Sequence, residues 1–222
     1  MKKFRLKLNA RKNKTFSKMH LLITAGGTRE YIDPVRFITN ASSGMMGYAL
    51  TRAAQKAGHK VTLISASDLQ PPVGVEFVGV DSAAEMFGAV KKHFPRCDCL
   101  IMAAAVADYT PFRSAKNKIK KQDKLLTIKL KPTVDILKWA GMHKKKNQIV
   151  VGFALEDKNL RANAERKLKE KNLDMIIANT PAAIGADKST VQIKTSDSPW
   201  TKIENATKIS TAKRIIRLIQ NL

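Results

Sequence analysis

Two glycine-bearing segments stand near the start of the chain. TAGGTRE (Thr24–Glu30) follows an apolar run, and SSGMMG (Ser42–Gly47) opens a stretch of helical period. Paired glycines, Gly26 and Gly27, let a backbone turn tightly and approach a ligand closely. Ser42 and Ser43, ahead of Gly44 and Gly47, are residue types that cap a helix, and the free amides at a helix N-terminus attract anions. The spacing is not the compact GxGxxG fingerprint. It suits a split phosphate-binding site with the intervening loop folded over it; a structural turn followed by an ordinary N-cap uses the same residues. Asn40 lies in that loop. Its side-chain NH2 can donate to an oxyanion, although a turn asparagine has the same appearance.

Cations supply the second ingredient. KIKK (Lys118–Lys121) places three ammonium groups within four residues. Beside a phosphate pocket one of them could neutralise charge on a reacting phosphoryl group; alone, such a run reads as a solvated loop. Lys167 and Lys171 are four apart and so share one helix face, again solvent-facing if nothing binds there. Ala103, Ala104 and Ala105, followed by Asp108, leave room for a flat ligand at a strand end, or for tight helix–sheet packing. His20, His59, His93 and His143 are scattered, with no ligand or triad spacing. Cys97 and Cys99 have no second Cys/His cluster beside them, so no metal site is expected, and they read as reduced thiols of an intracellular, cytoplasmic protein.

The elements that must position these groups alternate in period. Apolar runs at His20–Thr24, Val61–Ser65, Val75–Val78, Leu100–Val106, Ile149–Phe153 and Met175–Ala178 predict buried strands. Helical stripes fall between several of them. Leu50, Ala53, Ala54 and Ala57 end at Gly58. Ala83, Met86, Phe87, Val90 and Phe94 follow Ser82, with Glu85 at capping-box spacing. Leu160, Ala164 and Leu168 give a third stripe, and Ala212, Ile215, Ile216 and Ile219 the last. This predicts an α/β fold: a doubly wound, Rossmann-like, mostly parallel sheet with helices on both faces. Such sheets bind ligands outside the strands' carboxyl ends, near the switch in strand order. The polar, Lys-rich stretch 109–133 breaks the rhythm and reads as an inserted flap or hairpin.

The chain has 222 residues, 44% hydrophobic and 27% charged, the balance of a globular domain. That excludes a disordered, collagenous or disulfide-scaffold protein. The longest apolar runs, such as Leu100–Ala107, are far below the ~20 residues of a membrane span, so no membrane partner is expected. The formal charge is +23, which implies acidic partners. Residues 1–18 concentrate Lys2, Lys3, Arg5, Lys7, Arg11, Lys12, Lys14 and Lys18 without an acid and read as a disordered basic leader; 19–222 reads as a single ligand-binding domain, itself still basic.

Taken together, ITAGGTREYIDPVRFITNASSGMMGYAL (Ile23–Leu50), AAAVADYTP (Ala103–Pro111), KIKK, VVGFALE (Val150–Glu156) and KNLDMIIAN (Lys171–Asn179) resemble phosphopantothenate–cysteine ligase, in its bacterial, CTP-using form. The resemblance begins near Met19 and runs to the end, without the flavin-dependent decarboxylase half of the bifunctional proteins, so no flavin is expected. It implies that 4′-phosphopantothenate is activated by CTP as an acyl-cytidylate, with release of pyrophosphate, and that L-cysteine then displaces CMP, a step in coenzyme A biosynthesis. Mg²⁺ would ride on the nucleotide phosphates.

By position, Asn40 matches the residue that handles the acyl-cytidylate, and Lys118 a residue associated with forming it. Met102, Ala103, Ala104, Asp108, Val134, Asp135, Ile136, Leu137, Phe153, Lys167 and Lys171 match nucleotide contacts. The resemblance further implies a homodimer whose flap, 121–131, helps close a neighbouring site. Met45 departs from the usual Lys or Arg, and Val134-Asp135-Ile136, with Pro132 displaced, from a Pro-Asp-Ile stretch. Two rivals differ in class. An NADP-dependent oxidoreductase would need a Tyr-x-x-x-Lys pair, but Val35, Arg52 and Arg113 stand four residues after Tyr31, Tyr48 and Tyr109. A nonspecific nucleic-acid binder draws support from the charge, but aromatic content is 6% and no motif for specific nucleic-acid recognition is present.

Overall fold

The apolar runs form the parallel heart of one eight-stranded sheet. A computed structural model describes residues 17–222; the basic leader expected at 1–18 lies outside that range except for Ser17 and Lys18. Strands β1 (His20–Ala25), β4 (Lys60–Ser65), β5 (Glu76–Gly79), β6 (Cys99–Met102), β9 (Ile149–Leu155) and β10 (Met175–Asn179) are all parallel. Two antiparallel strands, β11 (Lys188–Thr195) and β12 (Thr201–Thr207), extend the sheet beyond β10. The spatial order is β12-β11-β10-β9-β6-β1-β4-β5. From β1 the chain winds outward through β4 to β5, then returns to β6 on the other side of β1. The switch point therefore lies at the carboxyl ends of β1 and β6.

Among the described residues five helices cover the sheet: α1 (Met45–Lys56), α2 (Ala83–His93), α3 (Ile136–His143), α4 (Leu160–Glu170) and α5 (Lys208–Ile219). One core, holding Leu21, Ile23, Tyr48, Leu50, Ile101 and Ile215, packs α1 and α5 on one face. The other, holding Leu22, Met86, Leu100, Ile136, Leu168 and Ile176, packs α2, α3 and α4 on the opposite face. The strands alternate their side chains between these layers, which is why the central runs are apolar throughout. Ser82 caps α2 by accepting from the Glu85 amide at 3.2 Å, while Glu85 reaches back to the Asp81 amide at 2.9 Å. Beside the ends of the sheet, the ring of His59 accepts the Met19 amide at 3.2 Å and meets the Gln220 side chain at 3.0 Å.

Two short hairpins flank the sheet: β2 (Arg29–Tyr31) with β3 (Phe37–Thr39), and β7 (Tyr109–Pro111) with β8 (Leu130–Pro132). The second is the base of the flap expected at 109–133. The strand expected over Leu100–Val106 stops at Met102, because the chain turns out to form a cavity wall. The expected serine caps of α1 are corrected: Gly44, with φ +78°, is the N-cap and no side chain caps it. Ser42 and Ser43 instead accept the nearby amides of Gly44 and Met45, at 3.4 and 3.5 Å. Among the described residues no helix is long and apolar enough to cross a membrane.

Candidate functional site

Threonines of the first strand–loop segment hold the β6 end in place. Thr24 Oγ1 accepts the Ala104 amide at 3.1 Å and Thr28 Oγ1 accepts the Ala107 amide at 2.9 Å. The Ala105 amide donates to Gly26 O at 2.8 Å. Further along, Thr133 closes back on this wall, its amide to Asp108 O at 2.9 Å and its hydroxyl to Ala107 O at 2.6 Å. The β6 exit, the foot of the flap and the start of α3 thus form one rigid rim at the switch point.

That rim borders a cavity of about 630 Å³. Its walls take Asn40 and Ser42 from the loop before α1, Met102, Ala103, Ala104 and Asp108 from the β6 exit, and Val134, Asp135, Ile136 and Leu137 from the start of α3. Phe153 of β9 and Lys167 and Lys171 of α4 complete it. Residues that reasoning from sequence did not single out as contacts also line it: Ala41, Val106, Ala107, Thr133, Leu155 and Ile184. Most of them offer small or apolar surface with no chemical signature, although their places beside Asn40, Asp108 and Val134 are a usable signal.

The cavity floor is cationic. Lys167 is largely buried and its Nζ donates to Phe153 O at 2.9 Å. Burial lowers its pKa from the usual lysine value, and the neighbouring Lys171 adds to the effect. Lys171 Nζ pairs with Asp135 Oδ2 at 2.7 Å. The other oxygen of Asp135 accepts the Lys138 amide at 2.9 Å, capping α3. Burial alone would raise the Asp135 pKa, but these bonds, with Lys171 the strongest, hold it below the usual range.

Asn40 stands between two clefts. Its Nδ2 donates to Val106 O at 3.0 Å and lies 3.5 Å from Ala105 O, so the amide ties the α1 loop to the β6 exit. On its far side a second cleft of about 410 Å³ is lined by Gly27, Arg29, Phe37, Ser43, Ser67 and Asp68 among others. Arg29 lies over the Phe37 ring and bonds Asp68 at 2.5 Å. Gly26, Gly44 and Gly47 line neither cleft. A Cβ on Gly26 would lie 2.7 Å from Ala66, and one on Gly47 would lie 2.5 Å from the Ala25 Cβ. These two glycines let the loop and α1 pack directly on the strands.

Lys118 is not brought to the cavity of its own chain; it is exposed on the flap. The segment is held by Asp33, which sequence reading passed over because an aspartate before proline looks like a turn residue. The buried Asp33 carboxylate accepts the amides of Val35, Arg36 and Ile119 at 2.8, 2.9 and 3.1 Å and pairs with the Arg36 guanidinium. Burial opposes ionisation, yet these donors bring its pKa down to about 2. Among the described residues no group of three or more His, Cys, Asp or Glu could hold a metal ion.

A doubly wound sheet opening a broad cavity at its switch point defines the class, a Rossmann-like α/β protein. Within that class, the chain belongs to the family described as DNA/pantothenate metabolism flavoprotein C-terminal domain, which it matches over residues 16–222. It is 46% identical over 209 residues to the coenzyme A biosynthesis bifunctional protein CoaBC of Bacillus subtilis (strain 168), covering 91% of this chain and 51% of that protein. The chain thus spans about half the length of that relative. The crystal structure of the C-terminal domain of a CoaBC protein superposes with a TM-score of 0.81 at 40% identity, covering 94% of this chain and 97% of that one. A Cab2 mutant in complex with phosphopantothenate-cysteine superposes at 0.77 with 17% identity, covering 91% and 86%, a likeness of fold.

Proposed function

We propose that this chain is a phosphopantothenate–cysteine ligase that activates its acid with CTP. The observation that carries the proposal is the cavity in which the α1 loop, the β6 exit, the start of α3, Lys167 of α4 and Lys171 at its C-cap meet. Its floor suits a triphosphate, and its small alanines suit a flat base. The relatives, coenzyme A biosynthesis bifunctional proteins, point the same way.

In the first step a carboxylate oxygen of 4′-phosphopantothenate attacks the α-phosphorus of CTP, and the bond to the β-phosphate oxygen breaks, releasing pyrophosphate. This step needs neutralised charge more than a base. Lys167 and Lys171 supply it: a phosphate displaces Phe153 O and Asp135 as their partners. Magnesium would be carried on the nucleotide phosphates, the cavity's own carboxylates being Asp108 and Asp135. In the second step the cysteine amine attacks the acyl carbonyl and CMP leaves with the bonding pair. Asn40 turns its NH2 from Val106 O to the carbonyl oxygen as that atom gains charge. Lys118 acts across a two-fold axis, carried on the flap into the cavity of a second subunit.

The test is which reagents release which products. Pyrophosphate is expected only when CTP and 4′-phosphopantothenate are both present, and CMP when L-cysteine is added. Tight NADPH binding without CTP binding would replace this reading with an oxidoreductase. ATP supporting release as well as CTP does would overturn the nucleotide assignment.

A further inference from the structure

The ligase chemistry leaves most of the +23 charge unexplained. Its placement is informative. All six parallel strands start at one rim of the sheet, opposite the cavity, and the helices that cross between them end there. Five loops follow one another along this rim, in the order β4, β1, β6, β9, β10. Backbone bonds stitch neighbouring loops together: Lys60 to Met19, Asp98 to His20 and Ile149 to Asp98, each at 2.9 Å. With strands ~4.8 Å apart, the rim runs roughly 20 Å.

Its exposed side chains are cationic: Lys18, Lys56, Lys60, Arg96, Lys145 and Lys146. Most acids of the rim are already engaged; Glu170, at the end of α4, is exposed. Asp98 accepts the His20 amide at 2.6 Å, Asp174 pairs with Lys144 at 2.7 Å, and Glu76 accepts from Thr62 at 2.8 Å. Helix dipoles account for a cation in a last turn, such as Lys56. They do not account for Lys145 and Lys146, which lie beyond the end of α3, or for Lys18 and Lys60 at strand starts. In sequence, seven further Lys or Arg precede Ser17.

We propose that this rim is a second binding face, for the sugar–phosphate backbone of nucleic acid. A row of separated ammonium groups matches a row of phosphates. The exposed large apolar side chains beside the rim, Met142 in the last turn of α3 and Val73 before β5, are single residues, not the continuous apolar face that binding to a membrane surface favours. The rim offers no aromatic platform, so it reads the backbone and not the bases. The face lies opposite the ligase cavity and does not depend on the chemistry assigned there.

The test is fluorescence anisotropy of the full chain with a labelled 20-nucleotide RNA of arbitrary sequence, and its DNA counterpart, across a salt series. About six phosphate contacts to a single strand predict a roughly 300-fold loss of affinity between 50 and 200 mM salt. The triple variant Lys56→Gln/Arg96→Gln/Lys146→Gln is expected to flatten the log–log salt slope by about two to three, with pyrophosphate release unchanged. An unchanged slope overturns the proposal. So does displacement of the RNA by CTP, which would put it in the cavity. So does tighter binding to phosphatidylserine-containing vesicles than to RNA at equal salt. Failure of the ligase assay in the wild type leaves this result readable, because the RNA is measured directly.

Discussion

The same chemical change, glycine to alanine, should act with opposite sign on two helices. At Gly47, in the first turn of α1, a new Cβ would lie 2.5 Å from the Ala25 Cβ and 2.9 Å from Thr24 O. Those atoms belong to the central strand and cannot retreat. Carbon atoms settle at ~3.5–4.0 Å, so the first turn of α1 must recede by about 1 Å. Overpacking of this kind costs about 1–3 kcal/mol, and at this chain length each kcal/mol moves the melting temperature by roughly 2–4 °C. Gly47→Ala should therefore melt roughly 2–12 °C lower. Its recession also shifts Ser42, so the KM for nucleotide should rise. At Gly88, in the middle of α2, a Cβ meets nothing within 4 Å. There alanine removes the helix cost of glycine, about 0.5–1 kcal/mol, and Gly88→Ala should melt about 1–4 °C higher. Differential scanning calorimetry of the pair decides the matter. If Gly47→Ala melts with the wild type, the close approach of α1 to β1 is not what fixes that turn.

Asn40→Ala should still release pyrophosphate but stall before the amide forms, as single-turnover product analysis would reveal; normal turnover refutes its role. Lys118→Gln and Asn40→Ala, each inactive alone, should regain about a quarter of wild-type turnover when refolded together, because random pairing puts both defects in one site of each mixed dimer; no recovery means the flap serves its own chain. The pKa of Asp33 is depressed, so its contribution is full above its unfolded pKa near 4 and is lost as pH falls toward about 2. Asp33→Asn should flatten the acid limb of a melting-temperature profile between those values. Burial lowers the pKa of Lys167, so nucleotide affinity should fall at a pH below the ordinary lysine value. Lys167→Met should melt higher than wild type while losing that affinity, a trade measurable by calorimetry and nucleotide titration.

The parallel core was legible because β1, β4, β6, β9 and β10 are buried on both faces and spell continuous apolar runs. The final hairpin was not. Val191, Ile193 and Ile203 are its buried contacts among largely polar neighbours, and a register shift between Ser189 and Val191 breaks their alternation. Helix α3 escaped notice because it is eight residues long, carries little polar face and contains Gly141. The β2–β3 hairpin has three residues per strand, too few for a period. Of the cavity residues, Lys167 and Lys171 read singly as solvated, and only the likeness of several segments together drew them toward one ligand. The fold explains why spacing could not: α4 and the start of α3 meet through the Lys171–Asp135 pair, a contact between residues far apart in the chain. Lys118 shows the converse. Its string was plain, yet a single chain leaves it outside the cavity.

The imidazole of His59 gathers the beginning of β1 and the end of α5 on one ring. Nδ1 accepts the Met19 amide and Nε2 lies 3.0 Å from the Gln220 side-chain amide. The path of the backbone is thereby almost a closed circuit, and the order in which its arcs are joined is separable from the architecture they build. A few glycines would span the gap from residue 222 to residue 17, and the circuit could be reopened at the exposed turn before β5, leaving every wall of the cavity on an uncut arc.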